Sequence, residues 1–193
     1  MIVEVRDLGC VRGGRRLYEG VSLGLSLGQT MRISGPNGIG KSSLIRQICG
    51  LIPCNEGTII LDTAPALADE RAALDPDKSL RAALLFWADI DGAPPARLDA
   101  AMERMALSPL ADLPVRMLST GQRKRAALAR VIASPAKLWL LDEPGNGLDG
   151  ASLASLGAAM DTHAASGGAI IAASHFDLPH AFSETLDLSE YAP

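Results

Sequence analysis

The sequence predicts an α/β fold: a parallel-sheet core, a small antiparallel β part and an inserted helical part. Three observations carry that prediction. The first is Gly35-Pro36-Asn37-Gly38-Ile39-Gly40-Lys41-Ser42, which reads G-x-x-x-x-G-K-S between a strand-like segment, Met31-Arg32-Ile33, and a helical pattern at Leu44, Ile45 and Ile48. The second is a pair of apolar runs, Lys137-Leu138-Trp139-Leu140-Leu141 and Ala169-Ile170-Ile171-Ala172-Ala173, of the kind a parallel sheet buries on both faces. The third is an Ala-, Leu- and Arg-rich stretch, residues 64–106, with helical spacing.

Taken in order, residues 2–6 alternate from the start and read as a strand rather than a signal peptide. Arg12-Gly13-Gly14-Arg15 is a turn, and residues 21–25 form the next strand. Gly28-Gln29 turns into the strand that feeds the glycine-rich loop. The helix after Lys41 stops near Gly50, and Pro53 prevents its resuming. Residues 57–62 are β-rich and are expected to pair with the first strands. The insert contains a helix through Leu80, Leu84, Phe86 and Trp87, then a second over 96–106 with Leu98, Met102 and Met105 as its apolar stripe. Trp87 and these methionines read as core. A helix over 123–133 follows, then the strand ending at Asp142, and a helix with Leu153, Leu156 and Met160 on one face. The chain closes after His175 with about one helix and one strand.

Composition narrows the function. The 193 residues suffice for one sizeable core, and aliphatic residues and Ala build it, because only 4% are aromatic. A formal net charge of −4 argues against nucleic acid as the main partner. The basic helical face of Arg123, Lys124, Arg125 and Arg130 reads as a solvated or acid-paired surface. Cys10, Cys49 and Cys54 lack metal-ligand spacing and fit a reducing compartment. No run of about 18 apolar residues occurs, so any membrane role comes through a partner.

The chemistry concentrates at strand ends. Residues 35–42 form a phosphate-binding P-loop: its glycines let successive N–H groups point at a phosphate, and the helix N-terminus adds its positive dipole end. Lys41 is expected on the β- and γ-phosphates, and the Ser42 hydroxyl on Mg²⁺. Asp142, at the carboxyl end of an apolar strand, meets the same Mg²⁺. Glu143 then faces the γ-phosphate as the base for attacking water, and His175 holds that water and Glu143 in line.

These motifs resemble the nucleotide-binding subunit of the ABC transporter superfamily over nearly the whole chain. GPNGIGKSS, residues 35–43 and so including Ser43, is similar to that family's first motif. Leu118-Ser119-Thr120-Gly121-Gln122 resembles its signature, whose third residue is usually Gly. Residues 138–144 match its second nucleotide motif, Gly147-Leu148-Asp149 its D-loop, and His175 its switch histidine. The resemblance implies a P-loop NTPase of RecA-like core, one nucleotide-binding domain over residues 1–193. Its core and β part are expected over about 1–65 and 134–193, and its helical insert with the signature over about 75–133. It implies an ATPase that uses Mg²⁺ with ATP. Two copies sandwich ATP head to tail, with Ser119, Thr120, Gly121 and Gln122 of one copy meeting the γ-phosphate held by Lys41 of the other, and Asp149 near that joint. It also implies integral membrane partners, no nucleic acid, and a place on the cytoplasmic face of a bacterial inner membrane. Local phrases, residues 113–125 and Cys10-Val11-Arg12, look like the ATP-binding subunit of the haem exporter used in cytochrome c maturation.

The sequence departs from the family at two points. The aromatic that stacks on adenine is absent; Arg12 is the candidate in its place, stacking its guanidinium on the base, with Tyr18 second. The Q-loop glutamine is absent too, and Asp69 or Glu70 falls near its position. That favours slow turnover, or a regulator that grips ATP without hydrolysing it, whereas Glu143 and His175 favour hydrolysis. A non-transport ABC ATPase needs a long coiled coil or two tandem nucleotide domains, and the chain has neither.

Overall fold

In the computed structural model, which describes residues 1–69 and 73–193, the chain begins as a hairpin of β1 (Val3–Arg12) and β2 (Arg15–Leu25). Both strands run further than the expected 2–6 and 21–25, because β1 is bulged and keeps pairing through Cys10↔Tyr18 to Arg12↔Arg15. β3 (Thr30–Ser34) leads into the P-loop and α1 (Lys41–Ile48). β4 (Glu56–Leu61) returns to pair antiparallel with β1, giving a three-stranded sheet of order β2-β1-β4.

β5 (Ala66–Ala68) follows. This corrects the sequence reading, which took residues 64–106 as helical: Ala-Leu-Ala has little strand propensity of its own, and its pairing with a central strand supplies the conformation. α2 (Leu80–Asp91), α3 (Pro95–Arg104) and α4 (Thr120–Ala133) form the helical part. β6 (Leu138–Asp142), α5 (Gly150–Ala165) and β7 (Ala169–Ala173) return the chain to the core. β8 (Glu184–Asp187) and a 3₁₀ turn, Leu188–Tyr191, end it. The helix expected in this tail is absent. Pro179 stands in the middle of the segment, and a proline lacks the N–H a helix needs.

The five-stranded sheet has the order β5-β6-β7-β3-β8, parallel throughout. Its central strands alternate between two cores. Trp139, Leu141, Ile170 and Ala172 face the helical part and α5, while Leu138, Leu140, Ala169, Ile171 and Ala173 face α1 and the antiparallel sheet. That division is why β6 and β7 are buried along their whole length. Leu98, Met102 and Met105 are core as expected. Trp87 is not: it is half-buried on the rim of α2, its indole N–H donating to the Ala73 carbonyl at 2.8 Å, with the Arg130 guanidinium 3.5 Å over its ring. Of the rest of the basic face, Arg123 is exposed, as expected of a solvated surface, while Arg125 and Lys124 reach backbone carbonyls. Arg125 donates to the Met105 and Ala106 carbonyls, and Lys124 to the Asp142 carbonyl.

Beneath α5, His163 stacks on Trp139 with ring centroids 3.8 Å apart and takes the volume that a side chain at Gly168 would need. Burial pushes its pKa down to about 4. A depressed histidine pKa means that the folded protein stays neutral while the unfolded chain takes up a proton. The His163 contribution to stability is therefore complete above about pH 6.5 and is lost as pH drops towards about 4. His163→Gln is expected to remove that acid-side loss. Urea unfolding at pH 7.5 and 4.5 checks it; an unchanged difference between the two pH values would refute the assignment.

Candidate active site

Four strand ends meet at the carboxyl edge of the parallel sheet: β3 opens into the P-loop, β5 leads into Asp69, β6 ends at Asp142 with Glu143 next, and β7 leads into Ser174-His175. The edge of a parallel α/β sheet is where such folds bind ligands. Gly35, Gly38 and Gly40 have φ of 129°, 81° and 116°, a backbone that side-chain-bearing residues rarely adopt. Pro36, Asn37 and Gly38 are exposed, and Gly35, Ile39 and Gly40 half-buried. Gly40 is the N-cap of α1 and offers no side chain, so the first N–H groups of the helix are left for an external anion.

Lys41 is 5% exposed; its Nζ donates to the Gly35 and Pro36 carbonyls at 2.8 and 3.2 Å. The same Nζ lies 3.6 Å from Glu143 Oε1. The other Glu143 oxygen is 2.8 Å from His175 Nδ1. One carboxylate thus spans the P-loop lysine and the β7 histidine. Glu143 has φ 46°, a left-handed conformation that costs about 1–3 kcal/mol in a residue with a side chain. His175 is 41% exposed and open to a ligand.

Ser42 Oγ donates to Asp142 Oδ1 at 2.8 Å, and Ser43 follows it, half-buried in the first turn of α1. Asp142 is 2% exposed, and burial raises its pKa, opposed by the Ser42 hydrogen bond and by Arg46 and Lys124. A hydroxyl beside a desolvated carboxylate is a hard-oxygen pair that fits a small divalent cation. Arg46 approaches both Asp142 Oδ2, at 3.9 Å, and Asp69 Oδ2, at 3.4 Å. Asp69 therefore reaches the same corner as Asp142; Glu70 lies outside the described residues.

The signature segment sits apart, at the start of α4. Ser119 is its N-cap: the Ser119 hydroxyl accepts from Gln122 N–H at 3.2 Å, and Gln122 Oε1 accepts from Ser119 N–H at 2.8 Å. Ser119 and Thr120 are exposed. A Cβ on Gly121 would lie 3.1 Å from the Gly147 carbonyl, so the signature end abuts the D-loop. Asp149 caps α5, accepting from Ser152 N–H at 2.8 Å, which holds its carboxyl below the usual carboxylate range.

One supporting group was missed from sequence. Tyr18 is fully buried behind the P-loop; its ring fills the volume next to Gly40, and its hydroxyl donates to Gln47 Oε1 at 2.5 Å. Gln47 in turn donates to the Gly9 carbonyl at 3.2 Å. Tyr18 therefore braces α1 against β2, Gln47 extends the link to β1, and the phenol is not available to a base. Arg12 is exposed at the hairpin end, and the cavity of about 370 Å³ beside Gly38 and Ile39 is lined by Arg15, Arg16 and Leu17.

Comparison with known proteins gives the family and the fold. The ABC transporter family model matches residues 18–146. Two proteins named cytochrome c biogenesis ATP-binding export protein CcmA are similar. That of Sphingopyxis alaskensis is 51% identical, covering 92% of both chains; that of Zymomonas mobilis is 47% identical, covering 96% of this chain and 83% of the other. Among solved structures, a putative ABC transporter ATP-binding protein from Pyrococcus furiosus shares the fold (TM-score 0.85, 22% identity, 99% of each chain). CbiO1 of Clostridium perfringens, part of the CbiONQ ABC transporter complex, matches with TM-score 0.70 and 27% identity over 91% of this chain and 78% of that one. ATP-binding subunits of this kind are ATPases. By its sequence, its fold and the strand-end cluster at residues 35–42, 142–143 and 175, the chain belongs to the ABC transporter family, as an ATP-binding subunit of the CcmA type.

Proposed function

We propose that two copies of this chain clamp Mg²⁺·ATP head to tail and drive integral membrane subunits that export haem for cytochrome c maturation. The observation that carries the reading is the division of the site. The hydrolytic side chains Lys41, Glu143 and His175 meet at the sheet edge, while the exposed Ser119 and Thr120 cap a different helix end that leans on the D-loop. Each copy thus offers half of what a γ-phosphate needs. In this reading the P-loop N–H groups and Lys41 hold the phosphates, and Arg12 or the neighbouring Arg15 and Arg16 meets the base. Glu143 takes the proton of the attacking water, and His175 keeps the carboxylate turned towards it. Ser42 and Asp142 would hold Mg²⁺, which offsets the charge developing on the phosphate oxygens.

The membrane partner and the cargo rest on the relatives' names and on the resemblance in the chain's own motifs. No helix among the described residues is long and apolar enough to cross a membrane. Phe86 and Ile90 leave an apolar face of α2 exposed, at 50% and 60%, which is consistent with docking onto another subunit.

Mixing tests the clamp. Lys41→Ala and Ser119→Arg subunits are each expected to be inactive, measured with the membrane subunits present. Mixed one to one, they are expected to regain ATPase, because one composite site joins an intact Lys41 to an intact Ser119. Absence of recovery would sink the head-to-tail arrangement. A deletion strain that still makes holo-cytochrome c would sink the cargo.

A further inference from the structure

We propose that Gly145 and Phe176 are a matched pair that positions His175 against Glu143. The proposal rests on the roles given to Glu143 and His175 above.

Gly145 is buried two residues beyond Glu143. Its φ is not among the left-handed ones, so the backbone does not demand glycine there. The demand is one of space. A Cβ at Gly145 would lie 2.5 Å from Cζ and 2.9 Å from Cε2 of Phe176, and 3.1 Å from Cδ1 of Leu153. The phenyl ring occupies the volume that any side chain at position 145 would need, and Leu153 of α5 closes the notch behind it.

The same ring meets the imidazole. Phe176 stands edge-on to His175, with centroids 5.1 Å apart and planes at 85°, a favoured aromatic geometry. The turn that carries both residues is pinned from within: Ser174, fully buried, donates from Oγ to the Phe176 carbonyl at 2.6 Å and accepts from the Phe176 N–H at 3.3 Å. Asp177, next in the chain, pairs with Arg32 of β3. The ring therefore acts as a spacer between two loops. One loop carries Glu143 and the other carries His175, and the 2.8 Å contact between them depends on how deep the ring sits. A plain core residue would plug the notch without regard to the imidazole. A positioning residue sets kcat and leaves nucleotide binding alone, because the ring acts at Gly145 and His175, on the β6 and β7 loops that carry the hydrolytic side chains.

The test uses the full chain and reads steady-state kcat and the Kd of a fluorescent ATP analogue. Gly145→Ala pushes the ring out of its notch and is expected to lower kcat about tenfold or more, with Kd within about twofold of wild type. Phe176→Ala is expected to do the same by removing the spacer. Gly145→Ala combined with Phe176→Leu puts a methyl where ring volume was taken away, and is expected to recover kcat to within about threefold of wild type. Phe176→Leu alone, a milder change, keeps the test open if either single variant fails to fold; its kcat is expected to fall, and to rise again when Gly145→Ala is added. Losses that multiply in the double variant would overturn the pairing, and so would a parallel loss of kcat and affinity. Glu143→Gln run alongside separates this from the larger reading: if it turns over ATP like wild type, the roles of Glu143 and His175 have failed.

Discussion

Lys41→Ala is expected to weaken ATP binding by roughly 10²-fold or more. Lys41 Nζ is 5% exposed and held between the Gly35 and Pro36 carbonyls, 3.6 Å from Glu143. A triphosphate in the loop takes over this cation, and charge-assisted bonds to phosphate are stronger than bonds to neutral carbonyls. Removing one member of a buried charged pair costs about 2–5 kcal/mol, which is roughly 30- to 5,000-fold in Kd. Folding stability should change far less, because Glu143 keeps its contact with His175 at 2.8 Å. Lys41→Arg should not rescue: a planar fork does not fit where one ammonium donates to two carbonyls of a loop fixed by left-handed glycines. Calorimetric titration with ATP checks this, and a Kd within about threefold of wild type would refute the role.

Much of this site was legible in the sequence because the chemistry needs particular residues at close spacing. Residues 35–42 read as a phosphate loop since backbone N–H groups, an ammonium and a hydroxyl must converge within eight positions. Asp142 and His175 were legible because each follows an apolar run that only a buried parallel strand explains. What could not be read is what tertiary packing decides. Ala66–Ala68 becomes a strand only through the neighbouring Trp139-Leu140-Leu141 ladder. Trp87 shares the helical period of core residues, yet it is Arg130, two helices on, that covers it. Tyr18 and Gln47 are 29 positions apart, and neither belongs to a motif. Gly145 and Phe176 are more distant still, and each looks ordinary alone. The basic face of α4 shows the same limit. Charge was visible, but the carbonyls at Met105, Ala106 and Asp142 that receive it were not.

Glu143→Gln should abolish turnover and leave binding intact, with kcat falling about 10²–10⁴-fold, the usual contribution of a positioned general base. Glutamine keeps the shape and one acceptor oxygen for His175 but cannot take a proton from water. Affinity for ATP should hold or tighten, since a negative charge facing the phosphates is removed and Lys41 loses a competitor 3.6 Å away. The backbone gives this prediction a second edge. Position 143 has φ 46°, so Glu and Gln both carry the left-handed strain, whereas Gly does not. Glu143→Gly should therefore be as inactive as Glu143→Gln and more stable than Glu143→Ala, which also lacks the carboxylate, by about 1 kcal/mol in urea unfolding. A side chain kept at a position that glycine would occupy at lower cost is one kept for its carboxylate. If the glycine variant is no more stable than the alanine variant, the strain is not there; if Glu143→Gln retains turnover, the base lies elsewhere.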